Sequence, residues 1–167
     1  MQARAVRKEK RMISIDIPGC DVLNLEHLVL DFNGTLAVDG RLLNGLAPRI
    51  AQLADQLDVH VVTGNTYGDA RTQLRACRTE VVCVPPYKQA EAKRDYVVRL
   101  GAGRVAAVGN GRNDALMLRQ AALGIAVLGT EGLAGDTLEA ADIVVRHAVD
   151  ALGLMLFPKR LVAVLRR

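Results

Sequence analysis

Aromatic side chains are nearly missing from this chain: its 167 residues hold no tryptophan, two phenylalanines and three tyrosines. That scarcity argues against single-stranded nucleic-acid binding, which draws on exposed aromatic platforms for base stacking. Cysteine is scarce too. Cys20, Cys77 and Cys83 are odd in number and none stands in a C-x-x-C pair. The expectation is reduced, structural thiols in the cytosol, not a disulfide frame or a zinc site. Long apolar runs are also missing. The most apolar region, near the C-terminus, is interrupted by Asp150, Pro158 and Lys159, which leaves nothing to span a membrane. No apolar stretch follows the basic N-terminal residues, which argues against a secretory signal and for a cytoplasmic location.

What remains is aliphatic. Half of the residues are hydrophobic, so the core must be Val, Leu, Ile and Ala, which suits parallel strands buried on both faces. The length fits one domain able to fold without disulfide or metal staples. The formal charge of +4 hints at nucleic acid until it is located. Residues 1–11 hold Arg4, Arg7, Lys8, Lys10 and Arg11 against Glu9, and the rest of the chain carries seventeen basic and seventeen acidic residues. The basicity therefore belongs to a leader, residues 1–11, expected to be disordered, and not to the domain, residues 12–167.

Ile13, Ile15 and Ile17 alternate with polar residues before the Pro18-Gly19 turn, so residues 12–30 read as a β-hairpin feeding a central strand. Further strands are expected at 59–62, 81–84, 104–108, 124–128 and 142–145. Helical patterns lie between them at 46–57, 67–77, 89–100, 112–122 and 131–140, with a last helical region at 148–166. In the first helix Leu46, Ile50, Leu53 and Leu57 share one face. Regular alternation of strand and helix implies an α/β fold, a doubly wound parallel sheet with helices on both faces. Ligands of such sheets bind beyond the C-terminal strand ends. Those ends carry Asp31-Phe32-Asn33-Gly34-Thr35, then Thr63-Gly64-Asn65, then Gly109-Asn110-Gly111-Arg112-Asn113-Asp114.

Each segment has an ordinary reading as a turn or a cap, but together they suit phosphoryl chemistry. A carboxylate with an ordinary pKa is ionised at pH 7, so Asp31 can attack phosphorus without a separate base. Backbone N–H groups from Asn33 to Thr35 would hold phosphate oxygens, with Gly34 allowing close approach. The Thr63 hydroxyl can donate to phosphate, and Lys93 can neutralise both phosphate and Asp31. The stretch from Gly109 to Asp114 offers metal-reaching oxygens at a helix N-terminus, a favourable place for anions. A glycine pattern at Gly101-Ala102-Gly103 precedes a strand instead of following one, so it reads as a helix end and not a dinucleotide site. His27, His60 and His147 are scattered and read as structural.

Taken in this order, the motifs resemble the haloacid-dehalogenase superfamily, whose phosphatases open with D-x-D-G-T. The chain is most similar to the soluble P-type-ATPase-like branch. The pumps carry D-K-T-G-T and T-G-D-G-x-N-D-x-x-A-L; this chain has DFNGT and AVGNGRNDALML, and the likeness continues through ALGIAVLGTEG and EAADIVV over roughly residues 25–167. The resemblance implies a capless, Rossmann-like core, Mg²⁺ as cofactor and a phosphorylated substrate. It assigns catalysis to Asp31, Asn33 and Lys93, phosphate binding to Asn33, Gly34, Thr35, Thr63, Gly64 and Lys93, and the metal to Asp31, Asn33, Asn110 and Asp114. Asp31 matches the residue that forms an aspartyl-phosphate. Lys93, followed by Val97 and Leu100, matches the pump pattern K-x-x-x-V-x-x-L better than Lys88 does, and Lys88 remains the alternative.

Two departures matter. A typical phosphatase of this family has acids at positions 31, 33, 110 and 114; here Asn33 and Asn110 replace two of them. Losing a carboxylate should weaken Mg²⁺. Asn33 can hydrogen-bond a leaving oxygen but cannot trade a proton, and proton transfer typically contributes ~10²–10⁴-fold, so hydrolysis should be slow. Spacing removes a cap as well: 27 residues separate Thr35 from Thr63 and 29 separate Thr63 from Lys93, too few for an inserted domain. A strand pair around Val38-Asp39-Gly40-Arg41 is the one local cover expected. An open site favours a large substrate or a lid from a neighbouring copy, and the apolar residues Leu152, Leu154, Leu156 and Phe157 are candidates for a homo-oligomer contact. The competing reading is a fold-retaining phosphate- or partner-binding protein with little or no turnover.

Overall fold

The computed structural model describes residues 11–64 and 69–167. Of the expected leader, residues 1–10 lie outside the described residues, as do Asn65 and the start of the helix expected at 67–77. Strand β1 (Ile13–Ile15) pairs antiparallel with β2 (Leu23–Leu25). Ile13 and Ile15 face inward and Ser14 outward, where its hydroxyl donates to Asn24 Oδ1 at 2.8 Å. The hairpin delivers the chain to β3 (His27–Asp31), as the alternation predicts.

Six strands form one sheet in the order β10-β9-β8-β3-β6-β7, every pair parallel. They are β3, β6 (Asp58–Thr63), β7 (Glu80–Cys83), β8 (Val105–Gly109), β9 (Leu123–Val127) and β10 (Ile143–Val145). The chain winds outward from β3 through β6 to β7, then returns to β8 on the other side, so the winding reverses between β3 and β8. A parallel sheet leaves a crevice at such a switch point. The two strands that border it, β3 and β8, are buried almost throughout, because helices cover both faces. Helices α1 (Leu46–Leu53) and α6 (Ala148–Leu156) pack Leu46, Ile50, Ala151, Leu152 and Met155 on one face. Helices α3 (Gln89–Leu100) and α4 (Ala115–Gln120) pack Tyr96, Val97, Met117 and Leu118 on the other.

Several elements differ from expectation for local reasons. Helix α1 ends at Leu53, but Leu57 N–H still bonds Leu53 O at 2.8 Å, so Leu57 stays on the buried face. Helix α2 (Ala70–Gln73) is a single turn, and α5 (Gly135–Ala140) starts four residues later than its pattern because Gly132 adopts a left-handed φ of 89°. The region expected as one helix at 148–166 is two, α6 and α7 (Pro158–Leu165). Proline lacks an N–H and fits the first turn of a helix, so Pro158 ends one and begins the next. Most of this apolar region packs on its own domain: Leu152 is fully buried and Leu154 and Leu156 lie against the same core. Only Phe157 of the four stays exposed, with the Arg160 guanidinium 4.6 Å over its ring, so the motive for a homo-oligomer contact shrinks to one side chain.

The expected cover is present. Strands β4 (Ala37–Val38) and β5 (Arg41–Leu42) form a short antiparallel flap. It is tied on two sides: Asp39 N–H donates to Glu131 Oε1 at 3.0 Å, while Gln73 accepts from Leu42 N–H at 2.6 Å and donates to Gly40 O. No cap domain interrupts the described residues, and no helix among them is long and apolar enough to cross a membrane.

Candidate active site

Asp31 is the last residue of β3, and the parallel register sets it beside Val62, one residue before Thr63. Its carboxylate is almost fully buried at 5 % exposure. Lys93, with no exposed surface, reaches up from α3 and donates to Asp31 Oδ1 at 2.6 Å and to Asp114 Oδ1 at 2.7 Å. Asp114 is fully buried as well, and its other oxygen accepts from the N–H groups of Asn110 at 3.0 Å and Gly111 at 2.9 Å. Glycine at 109 makes this possible: a Cβ there would lie 2.5 Å from the Asp114 carboxyl carbon. The alternative lysine, Lys88, is exposed at the start of α3.

The cluster is one cation between two anions, and its electrostatics follow. Burial, and then Asp114, push the Asp31 pKa up from 3.8 to about 6, against the pull of Lys93 and Thr35. Burial alone would lower the Lys93 pKa, but Asp114 and Asp31 outweigh it and raise it. Burying ions costs several kcal/mol each unless they are well paired, and here one negative charge is left over.

The Thr35 hydroxyl lies 3.0 Å from Asp31 Oδ2 and 3.0 Å from Asn110 Oδ1. A hydroxyl has one hydrogen, so two acceptor oxygens converge on a single donor. Asn110 Nδ2 donates to Gly132 O at 2.9 Å, which leaves its oxygen facing the Thr35 hydroxyl. Asn33 is half-buried, and its Oδ1 is buried with no hydrogen-bond partner. The turn itself differs from expectation: Gly34 N–H donates to Ala37 O at 2.7 Å and Thr35 N–H to Phe32 O at 3.3 Å, so both close the turn on itself. Gly34 is required there, with φ of 80° and the Asn110 amide 2.5 Å from where a Cβ would stand. Thr63 is fully buried at the end of β6, and Gly64 lies beneath the Gln89 amide, 2.6 Å from the position of an absent Cβ.

No family model matches the chain. The uncharacterised protein MJ0073 of Methanocaldococcus jannaschii is 48 % identical over 63 residues, which span 38 % of this chain and 68 % of that protein. Among solved structures, the 3-deoxy-D-manno-octulosonate 8-phosphate phosphatase of Moraxella catarrhalis, in complex with magnesium, phosphate and KDO, superposes with a TM-score of 0.61 at 16 % identity, over 79 % of this chain and 86 % of that one. The cobalt-bound form of the Haemophilus influenzae enzyme gives 0.65 at 17 %, over 80 % and 88 %. The phosphatase BT1666 of Bacteroides thetaiotaomicron, of the haloalkanoate (HAD) superfamily, gives 0.55 at 13 %, over 84 % and 96 %. The chain has the haloacid-dehalogenase fold and belongs to the family of the archaeal MJ0073 protein.

Within this haloacid-dehalogenase fold, several contributors lie outside the motifs. Gln89, one turn before Lys93 on the same helix, accepts from Asn113 Nδ2 at 2.7 Å and so bridges the loops after β6 and β8. Its i, i+4 spacing from Lys93 was the available signal. Ala134 N–H bonds Asn110 O at 2.9 Å and Thr137 Oγ1 donates to Gly111 O at 2.6 Å, so the start of α5 fastens the same loop. The histidines are not all scattered: His27 Nδ1 lies 3.1 Å from His60 Nε2, and His60 Nδ1 lies 2.8 Å from the Tyr96 hydroxyl and 3.2 Å from Glu80. His27 opens the strand that Asp31 closes and His60 stands beside Val29, so the pair is set back toward the start of the strands from the candidate site.

Proposed function

We propose that the protein is a Mg²⁺-dependent phosphohydrolase or phosphotransferase that works through phospho-Asp31, slowed by the amide at position 33. The observation that carries the reading is the buried cluster in which Lys93 joins Asp31 to Asp114 at the switch point of the sheet. A fold gains nothing from a buried surplus of negative charge, whereas a site for a cation and a phosphoryl group needs one. DFNGT and GNGRND support the P-type-ATPase-like branch within the fold.

The residues present fit a magnesium ion. Asp31 Oδ2 and Asn110 Oδ1 converge on one hydroxyl hydrogen, and Asn33 Oδ1 has no partner. Mg²⁺ takes oxygen ligands and commonly keeps several waters beside one or two carboxylates. Asp31, the Asn33 carbonyl and Asn110 would hold it, with Asp114 anchoring the loop; bound there, the ion supplies charge neutralisation for a phosphoryl group. Lys93 orients the Asp31 carboxylate through Oδ1 and offsets its charge, while Thr35 steadies Oδ2. Thr63 and Gly64 border the place a phosphoryl group would take, and Lys93 would share its charge with that group. The local cover is a single short strand pair, which supports a large donor or a lid from a second copy.

The retained-fold binding protein is the second reading, favoured by Asn33 and Asn110 at positions where this fold's phosphatases carry acids. One experiment separates the two: a panel of phosphoryl donors with Mg²⁺ and with chelator, comparing wild type with Asp31→Asn. Turnover that needs both Asp31 and Mg²⁺ supports the enzyme, and equal rates for the two proteins support the binder.

A further inference from the structure

We propose that the outer edge of β10 is a docking surface for a second copy of this chain, paired antiparallel about a two-fold axis through Val144. The inference does not depend on the phospho-Asp31 reading. Among the described residues β10 ends the sheet, with β9 as its one neighbour. Asp142 N–H bonds Gly124 O of β9 at 2.8 Å. Backbone groups alternate sides along a strand, so the N–H groups of Ile143 and Val145 point away from β9 to the open edge. Edge groups of this kind are a template for another strand.

The two edges of the sheet are finished differently. At β7, Pro85 and Pro86 follow the strand closely; proline cannot donate to a ladder, which is a usual way of blocking an edge. Nothing comparable guards β10. Its run Asp142-Ile143-Val144-Val145-Arg146 has an acid at one end, a base at the other and aliphatics between, so it complements itself when reversed. Val144 is 46 % exposed in the middle of the strand, and Asp142 and Arg146 are exposed on either side of it. One Asp142 oxygen accepts from Gly124 N–H at 2.8 Å, and Arg146 has no ion pair among the described residues.

A two-fold axis through Val144 uses all of this. Val144 then faces its own counterpart, Ile143 faces the second copy's Val145, and Asp142 faces the second copy's Arg146. The outward N–H groups of Ile143 and Val145 fall in the hydrogen-bonded positions of the new ladder and Val144 in the non-bonded one, so backbone and side chains agree on one register. Opposed side chains share a face of the sheet, so each acid meets its base on the same side, and every contact occurs twice. A parallel pairing would set Asp142 against Asp142, and a slip of one residue would set Ile143 against Arg146, so the charges select direction and register. Leu128, whose N–H bonds Val145 O at 2.9 Å, is exposed as well and adds apolar area beside the axis. The pairing joins two six-stranded sheets edge to edge with their strands reversed. The strand ends that carry Asp31 therefore open on opposite sides, neither copy lids the other through this contact, and both sites stay open to a large donor.

The test is sedimentation velocity of the full chain over a rising concentration series. The expected wild-type result is a reversible monomer–dimer equilibrium, weak because a short strand pair makes a small interface. Val144→Lys sets two ammonium groups on the axis, and Arg146→Glu sets a carboxylate against each Asp142; both positions are exposed, so circular dichroism should find the fold unchanged. Each should weaken the dimer at least ~10-fold, since every like-charge contact counts twice. Asp142→Arg should do the same, and an equimolar mixture of Asp142→Arg with Arg146→Glu should dimerise where neither does alone, because each arginine then meets an acid. A wild type that stays monomeric at millimolar concentration overturns the proposal and leaves the edge to a strand of another protein. A dimer untouched by Val144→Lys and Arg146→Glu overturns it too, and these two variants decide the matter even if Asp142→Arg, which gives up the bond to Gly124 N–H, fails to fold. Folded variants whose mixture stays monomeric also overturn it.

Discussion

Replacing Lys93 by methionine isolates the charge balance of the site from its chemistry. Methionine matches the lysine stem in shape and removes only the ammonium, which has no exposed surface and lies 2.6 Å and 2.7 Å from two buried carboxylates. Removing one partner of a buried ion pair typically costs ~3–5 kcal/mol, because an uncompensated charge is left behind. Here two carboxylates are left facing each other, so the upper half of that range is expected at pH 7. For a domain of this size each kcal/mol moves Tm by about 2–4 °C, so the fall should be roughly 8–20 °C. The remedy for stranded carboxylates is protonation. The deficit should therefore shrink as pH falls from 7 toward 4, the opposite of ordinary acid denaturation, and Lys93→Met with Asp31→Asn should recover much of it. Thermal unfolding followed by circular dichroism in metal-free buffer reads all of this. A Tm change below about 2 °C at pH 7, or a deficit that does not depend on pH, would refute the reasoning.

Three further outcomes are expected. Asp31→Asn should stabilise the metal-free protein at pH 7 by ~1–3 kcal/mol, since one pKa unit is about 1.4 kcal/mol and burial with Asp114 holds Asp31 up at about 6. A carboxyl with a raised native pKa favours folding below its ordinary value and loses that contribution as pH rises through about 6, so the gain should be full above 6 and vanish near 4 in urea titrations. His60 behaves in the opposite sense: burial first, and then His27, lower its pKa from 6.5. The native imidazole resists protonation, so stability should be whole above 6.5 and decline as pH drops below it, a decline that His60→Gln should flatten in the same titrations. Asn110→Asp should tighten Mg²⁺ from a millimolar affinity by restoring a carboxylate, and calorimetry that finds equal affinities would count against Asn110 as a ligand.

Much of the fold is legible in the residues because strand and helix carry different periods here. VHVV and VAAV read as short buried strands and are buried, while VVCV forms an edge strand, with Val81 and Val82 half-buried and Cys83 exposed; the face of Leu46, Ile50, Leu53 and Leu57 survives even where the helix ends early. The positions at the strand ends were equally legible, since a parallel sheet sends Asp31, Thr63 and Asn110 to one edge whatever the details. What periodicity cannot show is backbone trapped by its own turn. Gly34 and Thr35 N–H groups bond Ala37 and Phe32 carbonyls, a closure that depends on φ at Gly34. Nor can it show contacts between elements far apart in sequence. Gly132 fixing the Asn110 amide, Gln89 bridging to Asn113, and His27 meeting His60 are such cases. The split at Pro158 was signalled by proline and obscured by the apolar residues on either side.

The central claim is that Asp31 takes a phosphoryl group, and mass spectrometry of the acid-quenched protein tests it most directly. Wild type incubated with acetyl phosphate and Mg²⁺ should gain the mass of one phosphoryl group, on the peptide that contains Asp31. The adduct should be absent from Asp31→Asn and should decay more slowly than in Asn33→Asp. Steady turnover of acetyl phosphate with no adduct on Asp31 at any time of quenching, or an adduct that persists in Asp31→Asn, would contradict it.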